Sequence, residues 1–240
     1  MKLNKIITVV LIIASLSSCS AIQTSVKKRN LDVQTQMSET IFLDPIAPSQ
    51  RTVYLQLKNT SDKQEMDVTN AVRSTIQSKG YQVVDDPSKA TYWVQANILK
   101  VGKSDLREAK SIIRSGYGSA ISGAVIGAQF GGGNGVAGMG ILGAAAGFIG
   151  DALVEDVMFL MITDLQISEK AKHGVIITEA NNASLKQGTS GHKTVTSTEK
   201  VNRKRYQTRI VSTANKMNLD FLEAQPQLIL GLSKSISGIL

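Results

Sequence analysis

Residues 116–150 read GYGSAISGAVIGAQFGGGNGVAGMGILGAAAGFIG, thirty-five consecutive positions without a charge. Thirteen of them are glycine, and most of the rest are Ala, Ile, Val, Leu or Phe. Arg114 stands before the stretch, and Asp151, Glu155 and Asp156 follow it. So much glycine is unfavourable in a water-soluble core, because each one loses more backbone entropy on ordering than other residues do. In lipid the balance differs: helices feel no hydrophobic push toward one another and associate where small residues let backbones approach.

The run Gly131-Gly132-Gly133-Asn134-Gly135 has the composition of a turn and divides the stretch into two arms, Gly116–Phe130 and Val136–Gly150. A fifteen-residue arm reaches roughly 22 Å as a helix, short of a bilayer core of about 30 Å but tolerable in a thin membrane, and bacterial outer membranes are thinner than average. The expectation is a Gly/Ala-rich transmembrane helical hairpin whose ends return to one side. Ser119, Gly123, Gly127 and Gly131 recur every four residues, with Gly116, Ala120, Ala124 and Ala128 beside them. In the second arm Gly140 and Ala144 share a row with Phe148, and Gly143 pairs with Gly147. Small residues at this spacing predict packing against the partner arm and against another copy, hence a homo-oligomeric ring. Gly132, Gly133, Asn134 and Gly135 form the hairpin turn in this reading.

Three other readings of the stretch compete. Flexible linkers are polar and Ser-rich, whereas this segment is apolar throughout. Gly133-x-Gly135-x-x-Gly138 matches the dinucleotide fingerprint, with Glu155 about twenty residues on, but no β-rich strand leads into it. A buried hairpin in a soluble domain has the right hydrophobicity and no use for the glycines.

Upstream, Lys2 and Lys5 precede the apolar run Ile6–Ala14, and Leu16-Ser17-Ser18-Cys19 follows. This resembles the bacterial lipoprotein signal, which implies removal of residues 1–18 and a diacylglycerol and an N-acyl chain on Cys19. Ser20 is similar to the pattern sent to the outer membrane. Cys19 is the only cysteine, so no disulfide can form within the chain. Loss of Lys2 and Lys5 lowers the formal charge from +8 to +6. That surplus suits anionic lipid or lipopolysaccharide phosphates as well as simple solubility, and no nucleic-acid motif accompanies it.

The remainder divides into a lipid-anchored segment (19–50), the first part of an α+β domain (51–111), the inserted hairpin (112–151) and the second part of the domain (152–240). Thr52–Leu57 reads as a strand. Gln64–Ser78 reads as a helix with Val68, Val72 and Ile76 on one face, followed by strands at Tyr81–Val84 and Thr91–Val101. Tyr92, Val94, Ala96 and Ile98 alternate with more polar neighbours. Lys103–Ser111 is expected to be helical. Val157–Ile167, Gly174–Thr178 and Tyr206–Thr213 are read as strands, Ser184–Thr198 as a polar hairpin loop or mobile surface, and Leu219–Leu240 as one or two helices broken near Pro226.

Little here points to chemistry. His173 and His192 lack partners at metal-ligand spacing, and no nucleophile elbow is present. Asp151, Glu155 and Asp156 read as solvation of the hairpin's exit. Lys186, Lys193, Lys200, Arg203, Lys204, Arg205 and Arg209 read as a solvated basic face. No enzyme activity, metal or freely bound cofactor is expected.

Several long strings are similar to one family: Val26-Lys27-Lys28-Arg29-Asn30-Leu31, Thr35-Gln36-Met37-Ser38-Glu39-Thr40-Ile41, Leu57-Lys58-Asn59-Thr60-Ser61-Asp62 and Lys79-Gly80-Tyr81-Gln82-Val83-Val84. Beyond the apolar stretch come Val154-Glu155-Asp156-Val157, Met161-Ile162-Thr163-Asp164, Gln187-Gly188-Thr189-Ser190-Gly191 and Tyr206-Gln207-Thr208-Arg209. The chain resembles the TraT family, outer-membrane lipoproteins of conjugative plasmids. The resemblance implies surface exclusion, in which oligomers in the recipient's outer membrane hinder stable mating-pair formation, together with complement resistance. Its implied partners are copies of itself, outer-membrane lipid and lipopolysaccharide, and mating-pair components or outer-membrane proteins of the recipient. An oligomeric channel and a periplasmic scaffold are the alternative functions.

Overall fold

The computed structural model describes residues 29–119, 155–172, 174–187 and 191–240. Cys19 and the positions Gly123 through Gly147 named above lie outside them. Among the described residues eight strands and three α-helices follow in order. They are β1 (Asp32–Met37), β2 (Thr52–Asn59), α1 (Val68–Ser78), β3 (Gln82–Val84), β4 (Tyr92–Lys103), α2 (Leu106–Ser115), β5 (Asp156–Lys170), β6 (Ile177–Gln187), β7 (Gly191–Val201), β8 (Arg203–Met217) and α3 (Phe221–Ile239).

Six strands form one mixed sheet in the order β1-β8-β5-β4-β2-β3, which curls into a half-barrel. β2 runs parallel to both β3 and β4, and the remaining pairs are antiparallel. Among the described residues β6 and β7 pair only with each other, as an eleven-rung ribbon between β5 and β8. The polar stretch read as a loop at 184–198 is therefore largely strand. Its Thr and Val content favours extended backbone, and the cross-strand partner that completes it lies in β6.

The two faces of the sheet differ. On one, α1 and α3 cover Val53, Val94, Ala96, Ile98, Phe159, Leu165, Ile167 and Ile210, with Val72, Ile76, Leu228, Leu232 and Ile236 fully buried from the helices. On the other, only α2 packs, seating Ala109 and Ile112 on Leu160, Ile162 and Val211. Each helix begins at an aspartate whose carboxylate accepts backbone N–H groups: Asp67, Asp105 and Asp220. Pro226 sits inside α3 without ending it. Its missing N–H falls in the second turn, and the helix is held on the sheet by its buried face.

This architecture corrects the expectation of an α+β domain carrying an inserted transmembrane helical hairpin and closing into a ring. The body is built mainly from sheet, and no helix among the described residues is long and apolar enough to cross a membrane. The apolar stretch does not open as a helix. α2 stops at Ser115, Gly116 caps it with φ +70°, and Gly118 turns again at φ +71°. Helical spacing counted from Gly116 assumed an unbroken helix, whereas glycine at positive φ reverses the chain. The described residues on either side of 120–154 are fixed at separate places. Ser119 is held beside Arg209 and Glu155 beside Asn218, which at strand rise lie about 25–30 Å apart along β8 and its end.

Tyr92 supplies a pH-dependent part of the stability. Its ring is buried, its hydroxyl donates to the Asp44 carbonyl at 2.9 Å, and its phenol is pushed up to about 12, by burial first and then by the charge of Glu169. The folded state thus favours the neutral phenol, while the unfolded one titrates near 10. This contribution is complete below about pH 10 and is lost as pH rises toward about 12, an expected fall of about 2–3 kcal/mol. Urea midpoints measured from pH 8 to 11.5 should decline more steeply for the wild type than for Tyr92→Phe; parallel curves would refute this role.

Candidate functional site

The face that α2 leaves uncovered carries rows of polar side chains in register. Gln56, Gln95, Gln166 and Gln207 face one another across β2, β4, β5 and β8. Each amide nitrogen donates to the next amide oxygen: Gln207 to Gln166 at 2.9 Å, Gln166 to Gln95 at 3.1 Å and Gln95 to Gln56 at 2.7 Å. The ladder runs one way and uses side chains that would otherwise be free to rotate. To one side of it, the guanidinium of Arg203 stacks on Trp93 at 3.9 Å.

To the other side lies the pair Asp164–Arg209, direct cross-strand partners on β5 and β8. The Arg209 side chain is fully buried and that of Asp164 is 12% exposed. Nε donates to one carboxylate oxygen at 2.6 Å and Nη2 to the other at 3.0 Å, a bidentate contact. Nη1 donates to the hydroxyls of Ser115 at 3.1 Å and Ser119 at 2.8 Å, and Nη2 to the Ser119 carbonyl at 2.9 Å. All five guanidinium hydrogens are thereby used. The Gly118 N–H donates to Asp164 at 2.9 Å. Tyr117 lies nearby, its phenol pushed up by burial and, secondarily, by the Asp164 charge.

The arrangement grips the chain where the apolar stretch departs. Arginine in strand β8 and aspartate in strand β5 together bind the turn Gly116–Ser119. The serines complete the grip because each hydroxyl accepts from Arg209 while donating to a carbonyl of its own turn, Ser115 to Ile112 and Ser119 to Gly116. The return is gripped separately. Asn218, at φ +50°, donates its N–H to the Glu155 carbonyl at 2.8 Å, and its side-chain oxygen accepts the Glu155 N–H at 2.8 Å. Asn215 donates to Asp156 at 2.7 Å and to the Val157 carbonyl at 3.1 Å. Both grips are built on one strand and its immediate end, so β8 sets the frame for both roots. With its oxygens engaged by Arg209 and Gly118, Asp164 is arranged to hold backbone in place.

The sequence reading placed Ser119 in a packing stripe, and the structure places it in this grip. Gly116, of the neighbouring stripe, caps α2, while the small residues named from Ala120 onward, the turn Gly132–Gly135 and Cys19 fall outside the described residues, as do Asp151 and His173. The basic run does not form one solvated face. Arg203 and Arg209 are buried, Lys204 pairs with Asp44 and Glu169, and Arg205 meets Glu179 at 2.6 Å. Asp44 is held below the usual carboxylate range by Lys172 and Lys204. A signal for the missed pair was present: Asp164 follows the apolar run 157–162 within one predicted strand, and a carboxylate buried in such a strand calls for a paired cation. Among the described residues no three His, Cys, Asp or Glu side chains are grouped to hold a metal.

Asp164 and Arg209 each close one of the strings that carried the resemblance, and comparison with known proteins extends it to nearly the whole chain. The profile of the family described as "Enterobacterial TraT complement resistance protein" matches residues 30–240. The chain belongs to the TraT family. A TraT complement resistance protein of Escherichia coli strain K12 is 49% identical over 247 residues, covering all of both chains. Another from Escherichia coli is 50% identical over 247 residues with the same coverage. One from Wigglesworthia glossinidia brevipalpis is 31% identical over 255 residues, covering 99% of this chain and 98% of its own. The TraT match spans both grips, all eight strands and the apolar stretch between the roots. The TraT family is described by complement resistance and not by a catalysed reaction.

Proposed function

We propose that this chain is an outer-membrane lipoprotein, anchored through acyl chains on Cys19, that protects the cell surface from complement and hinders stable mating-pair formation with cells carrying a related plasmid. It acts sterically and without catalysis. The observation that carries this reading is the family match over residues 30–240, with relatives matched end to end that are named complement resistance proteins. The sheet body supports it as a rigid obstacle: its face is locked by the glutamine ladder, and the roots of its apolar stretch are gripped by Arg209 and Asn218. Copies of the chain assemble with one another, and outer-membrane lipid and lipopolysaccharide are its immediate surroundings. The proteins it obstructs belong to the mating pair.

The test compares cells producing the wild type with cells producing Cys19→Ser. The wild type should incorporate labelled palmitate, survive in serum and lower the frequency of plasmid receipt. The variant should lose the label and return both survival and mating frequency to those of cells without the protein. Full serum survival and full exclusion by an unlabelled Cys19→Ser protein would overturn the anchored, steric reading.

A further inference from the structure

Arg29 leads into β1 at the end of the sheet where β8 finishes, since Asp32 is level with Asn215. Other segments meet at that end. β5 begins there, with Asp156 opposite Met217. α2 starts just past the end of β4, where the Ser104 N–H donates to the Met158 carbonyl at 3.0 Å. α3 starts just past β8, with the Phe221 ring 5.4 Å from that of Phe159. Glu155, the first described residue after 120–154, is held at the same end by Asn218, while Ser119 is held farther along β8 by Arg209.

Two groups of exposed apolar side chains stand at opposite ends of the sheet. Leu106, 56% exposed, and Leu222, 77% exposed, open α2 and α3 at the end where β1 enters. Phe42, Val175 and Ile176 belong to the other end, on the two segments joined by the contact of Asp44 with Lys172 at 3.2 Å. The N-terminal tether chooses between them. Ten steps (29 − 19) separate Cys19 from Arg29, so the fully extended chain reaches at most about 35 Å. β8 spans fifteen residues from Arg203 to Met217, about 45 Å at strand rise. A body standing on Phe42 and Ile176 would hold Arg29 about 45 Å from the lipid, farther than the tether extends. Standing on Leu106 and Leu222, it needs little of that length.

Charge at this end is compatible with a lipid surface. Arg29 and Arg107 are exposed. The carboxylates are engaged: Glu155 with Lys103, Glu223 with Lys216, and Asp105 and Asp220 in the helix caps. Resting on the acylated Cys19 of the proposed function, we infer that this end of the sheet sits on the phospholipid surface that holds the acyl chains. Leu106 and Leu222 enter the headgroup region from opposite faces of the sheet, and Arg29 and Arg107 meet lipid phosphates. The strands then stand on the membrane, and Phe42, Val175 and Ile176 face water at the far end.

The test places the full-length acylated protein in vesicles of phosphatidylethanolamine and phosphatidylglycerol. Acylation uses the only native thiol, so Leu106→Cys, Leu222→Cys, Phe42→Cys and Ile176→Cys each accept one fluorescent label. All four side chains are exposed, and urea midpoints equal to that of the wild type confirm that the variants fold. Labels at 106 and 222 should lie about 5–10 Å below the surface and be quenched by brominated lipid, while labels at 42 and 176 keep their emission. Quenching at 42 and 176 alone, at all four positions or at none would overturn the inference. So would blue-shifted emission at 106 or 222 that brominated lipid leaves untouched, the mark of a cover made of protein. The mass of the N-terminal peptide separates the two levels of the argument. A peptide without acyl chains defeats the anchored reading and this inference with it; an acylated protein unquenched at 106 and 222 defeats this inference and leaves the anchor standing.

Discussion

Replacing Arg209 by alanine should destabilise the fold by about 3–5 kcal/mol, the cost of leaving a buried partner charge uncompensated. The truncation removes both contacts to Asp164, the two serine hydroxyl contacts and the Ser119 carbonyl contact at once. Asp164 would keep only the Gly118 N–H, in a site where water has little access. Against a typical domain stability of about 5–15 kcal/mol, this is a large fraction. The double change Arg209→Met with Asp164→Leu should recover most of the loss, because it removes both charges and retains volume. Equilibrium unfolding in urea measures both. A second readout separates local from global effects: chymotrypsin should cut after Tyr117 sooner in Arg209→Ala, since the turn at 116–119 is held by this side chain. A single-variant cost below about 1 kcal/mol, the range of exposed ion pairs, would show that Arg209 is not gripping a desolvated site.

The second large effect is expected at Arg203, six residues earlier on the same strand. Its guanidinium is buried against Trp93 and donates to four backbone carbonyls, those of Ala90 at 2.7 Å, Thr91 at 3.1 Å, Pro87 at 3.4 Å and Ser168 at 3.4 Å. Burial lowers its pKa, yet arginine keeps its proton throughout the accessible range. Arg203→Ala should cost about 2–4 kcal/mol, from charged hydrogen bonds worth about 1.5–3 kcal/mol and a desolvated cation–π contact worth about 2 kcal/mol, which are not additive. Its neighbour Arg205 is 43% exposed at the side chain and pairs with Glu179, whose side chain is 33% exposed. Its alanine variant should stay within about 1 kcal/mol of the wild type. The two arginines in one alanine series thus provide the check: similar costs at 203 and 205 would contradict the burial pattern.

The contrast among those cations shows where local reading ends. Val68, Val72 and Ile76 announce the buried face of α1 at helical spacing, and Tyr92, Val94, Ala96 and Ile98 announce that of β4 by alternation; each signal lies within one element. The strings around Asp164 and Arg209 were enough for the family. Their role was not legible, because the two residues are 45 positions apart and meet only through the register of β5 with β8. The polar stretch 184–198 looked like a loop for a related reason: its Ser, Thr and Lys residues are compatible with both states, and the pairing of β6 with β7 chooses between them. At Gly116 the apolar composition continued smoothly while the backbone turned, since glycine accepts positive φ and carries no hydropathy signal of that turn.

By itself, then, the sequence determined the alternating strands, the amphipathic face of α1, the uncharged stretch between Arg114 and Asp151, and membership of the TraT family. Each is written in nearest-neighbour periodicity or in contiguous strings. Only the tertiary structure decided that the body is chiefly a curled sheet, that Arg203 and Arg209 are buried supports, and that Ser119 and Glu155 are held at separate points along β8 and its end. Those outcomes depend on strand order and register, and register is settled by which faces can be buried together across the whole sheet.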